Sequence, residues 1–328
     1  MRVMINGFGR IGRTVLRAWL QGDWPGIEIT AINDIAAAET CAYLLEFDSI
    51  YGPLKGGVDW DGAALQVGGR RLPLTREADL SRLDLGGVDL VLECTGKAET
   101  RQQAERGLRA GARRVLISGP SDAADATLVL GANEGLLTPA LRIVSNASCT
   151  TNALAPLARV LDEAFGISAG WMTTIHCYTG SQPTVDAPRS GDPARNRAAA
   201  LSMVPTTTSA GRLLDRVLPD LAGLIDCAAV RVPTASVSAV DLCVVPRRPA
   251  PVDAVNALLQ QAGGVIGWTA KPLVSSDLRA RPESIVMALP ETRVTGGGLI
   301  RVFGWYDNEW GFSCRMLDMA LRIGALGD

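Results

Sequence analysis

The chain reads as an α/β protein of two domains: a doubly wound, mainly parallel sheet first, then an α+β domain with a mostly antiparallel sheet. Three observations predict this. At 328 residues the chain exceeds what one core of ordinary size organises, so two domains are expected. Its first hundred residues alternate short runs rich in Val, Ile and Leu with helical patterns, which indicates parallel strands covered on both faces. After Cys149 the texture changes to longer strand patterns separated by dense turn chemistry. The domains are expected at 1–148, joined by the closing segment at about 309–328, and at 149–308.

The elements follow in order. Strands are expected at 2–6, 27–32, 88–93 and 114–118, with helices at 10–20 and 100–110. Beyond the junction a helix is expected at 151–165 and a strand at 170–178. The stretch 179–200 carries Gly180, Pro183, Pro188, Gly191 and Pro193; so many turn residues inside a compact domain argue for a functional loop. Strand patterns recur at 228–233, 236–245, 284–288 and 299–305, and 309–323 reads as a closing helix.

Bulk composition narrows the function classes. With 47% hydrophobic and 20% charged residues the chain is an ordinary globular protein, not a disordered one. Its net charge of −2 and pI near 5.6 make nucleic acid and anionic membranes poor partners. Seven cysteines, an odd number without a Cys-x-x-Cys pair, do not suggest a disulfide framework. There is no signal-like apolar region at the start, and no run approaches the roughly 18 apolar residues that span a bilayer. A soluble, cytoplasmic protein is expected, with no metal site.

Gly7-Phe8-Gly9-Arg10-Ile11-Gly12 is a G-x-G-x-x-G placed between a strand and a helix, and Asp34 closes the second strand about twenty residues further on. In that context the spacing predicts a Rossmann-type dinucleotide site. Gly7 permits the tight turn, Gly9 lets the backbone approach a pyrophosphate, and Gly12 lets helix and strand pack closely. The helix N-terminus contributes partial positive charge. Asp34 would bond a ribose 2′-hydroxyl and repel a 2′-phosphate, and Ile35 offers such a phosphate nothing, so NAD is the expected cofactor.

Ser145-Asn146-Ala147-Ser148-Cys149-Thr150-Thr151-Asn152 stands at the junction, just before a helix. A thiol there feels the positive end of the helix dipole, which favours the thiolate. Most cysteines are small buried hydrophobes, the reading for Cys41, Cys94, Cys227, Cys243 and Cys314; Cys149 differs in having hydroxyl and amide neighbours. The chain holds a single histidine, His176. A lone histidine is more often structural than catalytic, but it is the one imidazole available if Cys149 needs a base near neutral pH.

At these residues the sequence resembles the glyceraldehyde-3-phosphate dehydrogenase family over essentially its full length. The matching stretches are Ile5 to Arg13, Asn33-Asp34, Ala147 to Asn152, Thr174-Ile175-His176, Val204 to Thr208, Arg231 to Thr234 and Trp305 to Glu309. The resemblance implies that Cys149 attacks an aldehyde carbon while His176 takes the proton. Hydride then passes to a nicotinamide whose carboxamide Asn308 would hold, and inorganic phosphate cleaves the thioester to an acyl phosphate. Ser148, Thr150 and Thr208, with the backbone of Ser209, would hold the attacking phosphate. Thr179, Arg195 and Arg231 would hold the substrate's own phosphate. Arg10, Ile11, Asn33, Asp34, Arg76, Thr95 and Ser118 would line the NAD site. The loop at 179–200 is similar to one that packs against a neighbouring subunit's cofactor, so a homotetramer is expected.

Three positions depart from the family pattern. Gly180-Ser181 replaces the usual Asn-Asp after Thr179, Ser209 stands where glycine is usual, and Ala153 replaces the second cysteine of a Cys-x-x-x-Cys pair. Erythrose-4-phosphate dehydrogenase is a related alternative, as is a member that uses arsenate in place of phosphate. A semialdehyde or acyl-phosphate reductase of the same fold would lack the set Thr179, Arg195 and Arg231, and a catalytically silent scaffold would not retain Cys149 and His176.

Overall fold

A computed structural model of the chain describes residues 1–22, 24–189 and 191–326. Asp23, Ser190 of the long loop, and Gly327 and Asp328 of the closing segment lie outside the described residues. Two units form. One holds Met1–Leu128, Glu134–Ala147 and Ser313 onward; the other holds Val129–Asn133 and Ser148–Phe312.

The first unit is built on β1 (Arg2–Asn6), β2 (Glu28–Asn33), β3 (Asp59–Trp60), β4 (Ala64–Val67), β5 (Arg70–Thr75), β6 (Leu90–Glu93), β7 (Arg114–Ile117), β8 (Ala126–Thr127) and β9 (Ile143–Ser145). Among the described residues they form one sheet in the order β3-β4-β5-β2-β1-β6-β7-β9-β8. Pairing is parallel from β5 across to β8, and β3, β4 and β5 form an antiparallel meander at the edge. Val3, Met4 and Ile5 are almost fully buried, as a strand covered on both faces requires. From β1 the chain steps to β2 on one side and later to β6 on the other. The order therefore reverses beside β1, and the carboxyl ends of β1 and β6 frame the crevice where such sheets bind ligands.

Helix α1 (Arg10–Gln21) starts directly after the glycine loop and buries Val15, Leu16 and Trp19. Helix α2 (Ala38–Glu46) was not anticipated, although Ala38, Cys41, Ala42 and Leu45, its buried residues, follow helical spacing. Its last carbonyls are satisfied by the buried guanidinium of Arg17, which donates to Leu45 O at 2.6 Å and Glu46 O at 2.8 Å. The helix expected at 100–110 is instead two single turns, α3 (Arg101–Ala104) and α4 (Arg106–Arg109). Thr100 and Gln103 form a reciprocal capping box at the first. In the second, Gly107 lies so close to Val91 and Val115 that a Cβ would meet both at about 3 Å.

The second unit opens with α5 (Cys149–Phe165) and carries a mainly antiparallel sheet of β10 (Ile167–Cys177), β11 (Val204–Thr206), β12 (Ile225–Val232), β13 (Ser238–Pro246), β14 (Ile266–Thr269), β15 (Ile285–Ala288), β16 (Arg293–Val294) and β17 (Ile300–Tyr306). The order is β11-β12-β10-β13-β17-β15-β14, with β16 pairing β17; only β10–β12 and β14–β15 run parallel. Along β10, Met172, Thr174 and His176 are buried while Trp171 is exposed, the period-two alternation of a half-covered sheet. Helices α6 (Ala210–Val217) and α7 (Val252–Gln261) complete this unit. Helix α8 (Trp310–Gly324) closes the chain.

Candidate active site

The geometry of the loop itself requires two of its three glycines. Gly7 has φ +91°, in the region that side chains disfavour, and a Cβ there would meet Thr95 N at 2.6 Å. At Gly12 a Cβ would strike Gly7 O at 2.1 Å, so only glycine lets the first turn of α1 lie against the loop. A Cβ on Gly9 would meet nothing within 4 Å. That side of the loop is open, as a cradle for a dinucleotide's phosphates must be. Asp34 ties the loop down: Oδ2 accepts from Phe8 N at 2.5 Å and Oδ1 from Ala36 N at 2.8 Å.

A cavity of about 190 Å³ opens at the switch point, lined by Gly7, Gly9, Asn33, Asp34 and Thr95 among others. Five of the expected cofactor residues are thus brought together. The lining also includes Asn6, Cys94, Lys97 and Arg106, which sequence reasoning missed. Asn6 had a signal, its place immediately before the first glycine. Cys94, read as inert core, faces the cavity, and Lys97 and Arg106 carried no local signal. Ile11, Arg76 and Ser118 do not line the cavity. Arg10 pairs with Asp48 and lies over the Tyr51 ring at 5.1 Å, and Arg76 donates to Ile35 O at 3.2 Å.

In the second unit Cys149 is the first residue of α5, two residues earlier than the expected helix start. Ser148 caps the helix, its Oγ accepting from Thr151 N at 3.1 Å. Just before it Ala147 holds φ +55°, a strained conformation for a residue with a side chain, at the turn that delivers the thiol. Cys149 Sγ lies 3.6 Å from His176 Nε2. On the other side of the ring, Nδ1 lies 2.7 Å from Cys177 O and packs against Arg231 Nη1. One nitrogen cannot both donate to the carbonyl and accept from the guanidinium. Because Arg231 Nη1 has Cys177 O as an acceptor at 3.0 Å, the proton is assigned to Nδ1, leaving Nε2 with its lone pair toward the thiol. Register explains the closeness of Arg231: His176 and Arg231 are paired neighbours on β10 and β12.

The electrostatics correct one expectation. Burial pushes the Cys149 thiol above its ordinary pKa, against hydrogen bonds from Thr150 and the charge of Arg231. Burial and then the Arg231 charge push His176 down to about 4. Desolvation outweighs the helix terminus, so both shifts favour the uncharged forms, thiol and imidazole.

The remaining expected residues are placed as follows. Thr150 Oγ1 pairs with Tyr306 OH at 2.9 Å, which also reaches Thr174 Oγ1 at 2.8 Å, a buried hydroxyl chain. Thr179 Oγ1 bonds Ser181 Oγ at 2.9 Å, within the departing Gly180-Ser181 pair. Arg195 sits half-buried on a 3-10 turn, Pro193–Asn196, capped by Asp192. Thr208 and Ser209 precede α6, with Thr208 Oγ1 accepting from Ala210 N at 3.2 Å. Asn308 Oδ1 accepts from Cys177 Sγ at 3.1 Å. Among the described residues no hydrogen bond or ion pair joins Thr179, Arg195 or Thr208 to Cys149, His176 or Arg231.

A Rossmann-type nucleotide site and a cysteine–imidazole pair are the equipment of an NAD-dependent oxidoreductase working through a thiol. Comparison with known proteins narrows the class. Residues 1–101 match the family model described as glyceraldehyde 3-phosphate dehydrogenase, NAD binding domain, and residues 148–308 match the model of the same family's C-terminal domain. The chain is 48% identical to the glyceraldehyde-3-phosphate dehydrogenase of Xanthobacter flavus, covering 100% of the chain and 99% of the relative. It is 48% identical to that of Cereibacter sphaeroides, over 99% of each, and 44% identical to that of Geobacillus stearothermophilus, over 100% and 99%. The chain belongs to the glyceraldehyde-3-phosphate dehydrogenase family, and its cofactor is NAD. No helix among the described residues is long and apolar enough to cross a membrane.

Proposed function

We propose that the chain oxidises glyceraldehyde 3-phosphate with NAD and inorganic phosphate to 1,3-bisphosphoglycerate, through a thioester on Cys149. The observation that carries the reading is the Sγ-to-Nε2 approach of 3.6 Å, with Nδ1–H held on Cys177 O. In the first step Sγ bonds the aldehyde carbon while Nε2 accepts the thiol proton, so charge forms only as the bond forms. The resulting imidazolium donates to the substrate oxygen. NAD, when bound, would supply the hydride acceptor that takes this carbon from the aldehyde to the acyl level. The remaining thioester is attacked by phosphate, releasing the acyl phosphate and the thiolate, which His176 reprotonates.

Residues of the first unit that would hold NAD are Gly7, Gly9, Gly12, Asn33, Asp34 and Thr95, with Arg10, Ile11, Arg76 and Ser118 as outer contacts. Asn308 offers its amide nitrogen to the carboxamide, its oxygen being engaged by Cys177. For the attacking phosphate, Thr208 retains a hydroxyl proton to donate and Ser209 a backbone N–H at the start of α6. Ser148 and Thr150 hydroxyls are engaged locally, so their contribution needs those bonds exchanged. Thr179, Arg195 and Arg231 would take the substrate phosphate through hydroxyl and guanidinium donors. Arsenate, of like shape and charge, would enter the acceptor site as phosphate does. A homotetramer and a cytoplasmic setting belong to the same reading. The relatives reported above are named for the triose phosphate, which favours it over erythrose 4-phosphate.

The test is NADH formation with glyceraldehyde 3-phosphate and phosphate. Cys149→Ser should abolish turnover while NAD still binds, and His176→Asn should lower kcat by roughly 10²–10⁴. Near-normal rates in either variant would refute the mechanism.

A further inference from the structure

Glu93 ends β6 at the switch point, only 5% exposed, and no role in the reaction has been given to it above. Its two oxygens divide their work. Oε2 accepts from Asn6 Nδ2 at 2.6 Å, while Oε1 accepts from Thr95 N at 3.0 Å and from Thr95 Oγ1. Asn6 Oδ1 in turn accepts from Asn33 Nδ2 at 2.8 Å. The far end of the chain is anchored on backbone groups whose polarity cannot change: Asn33 Nδ2 donates to Glu77 O at 2.8 Å, and Asn33 Oδ1 accepts from Glu77 N at 2.9 Å. Thr75 Oγ1 donates to the same oxygen at 2.8 Å.

We infer that Glu93 is a positioning residue for the cofactor site: its carboxylate terminates a directional hydrogen-bond chain that sets the orientation of the Asn6, Asn33 and Thr95 side chains around the NAD cavity. The inference rests on the reading of that cavity as the cofactor site. The logic is one of donors and acceptors. Glu77 fixes Asn33, Asn33 fixes Asn6, and Asn6 must then present its NH2 to position 93. Thr95 N, also an obligate donor, faces position 93 from the other side. Only a group accepting on both of its oxygens satisfies both neighbours. An isosteric glutamine cannot. If its oxygen faces Thr95, its NH2 meets the NH2 of Asn6, and flipping Asn6 and then Asn33 only moves the clash to Glu77 N. One buried donor is left unmade wherever the fault settles.

The carboxylate can, however, be moved one place along the chain. In the double variant Glu93→Gln with Asn6→Asp, the new carboxylate at position 6 accepts from the new amide NH2 at position 93 and from Asn33 Nδ2. The amide oxygen at position 93 meanwhile accepts from Thr95. Every partner is then satisfied with the same total charge. Asn6→Asp alone instead faces one carboxylate with another.

NAD affinity is read by calorimetry on the full-length protein, with kcat and KM for NAD alongside. Glu93→Gln should weaken NAD about tenfold, the order of effect of one unmade buried hydrogen bond, with the loss falling on KM more than on kcat. Asn6→Asp should also weaken NAD, and the double variant should recover most of the affinity lost by either. A space-filling role predicts that Glu93→Gln is near neutral and the double variant no better than the worse single. That pattern overturns the inference. If Glu93→Gln does not fold, recovery of folded, NAD-binding protein in the double variant supports the chain, and its absence refutes it. Asp34→Ala separates the two levels. If it leaves NAD affinity unchanged, the cavity assignment fails; if it weakens NAD while Glu93→Gln does not, only the role of Glu93 falls.

Discussion

Lowering the pH should destabilise this protein through one identifiable proton. His176 is the only histidine, and its pKa falls from 6.5 to about 4 in the folded chain because burial and Arg231 disfavour the imidazolium. Below pH 6.5 the unfolded chain therefore binds a proton that the native state refuses until about pH 4. The unfolded state binds more protons in this window, so stability rises with pH and is lost as pH falls from 6.5 toward 4. With those two values the loss between pH 7 and pH 5 is about 2 kcal/mol, at a limiting slope of about 1.4 kcal/mol per pH unit. Urea unfolding at pH 5, 6 and 7 of the wild type and of His176→Asn isolates the effect, since carboxylates contribute nearly equally to both. The wild type should lose about 2 kcal/mol more than the variant across that range. Titrating the one histidine resonance by NMR measures the pKa directly. Equal pH slopes in the two proteins, or titration near 6.5, would refute the buried, neutral imidazole on which the proton-transfer step depends.

Further outcomes follow from single positions. NAD should exceed NADP in kcat/KM if Asp34 meets the ribose 2′-hydroxyl as proposed, since its carboxylate would repel a 2′-phosphate; a ratio near one contradicts this. Without a carboxylate at Ser181, kcat/KM should still rank glyceraldehyde 3-phosphate above erythrose 4-phosphate and unphosphorylated glyceraldehyde, since Arg195 and Arg231 remain. A preference for the unphosphorylated aldehyde overturns the phosphate-site assignment. Peroxide should drive Cys149 to sulfinic and sulfonic acids that dithiothreitol reverses poorly, with glutathione protecting. The reason is that Ala153, one turn along α5, cannot resolve a sulfenic acid, and Cys177 is buried and bonded to Asn308. Peptide mapping that found a dominant intrachain disulfide to Cys149 would prove this wrong.

Much of the site was legible because its parts lie close along the chain. The three glycines and Asp34 need only a strand, a turn, a helix and a second strand, all of which local pattern encodes. Cys149 announced itself by its polar neighbours at a helix start, and His176 by being the sole imidazole. What escaped was either short or non-local. Strands of two to four residues, such as β3, β8 and β11, carry too little periodicity to be seen. Lys97, in the connection after β6, and Arg106, the first residue of α4, reach the cavity only because the fold brings them there.

Sequence by itself determined the succession of the two domains, many of their longer strands and helices, the dinucleotide loop, and which two residues could serve as nucleophile and base, because those rest on local periodicity and residue chemistry. Only the tertiary structure decided the states those residues hold. Pairing of β10 with β12 set Arg231 beside His176, and burial then outweighed the helix terminus at Cys149, leaving the pair uncharged. It likewise decided that Thr150 would spend its hydroxyl on Tyr306, and that a glutamate at the end of β6 would face Asn6 and Thr95 at once. Desolvation and hydrogen-bond partnership depend on which strands become neighbours, and that is settled by packing between segments far apart in the chain.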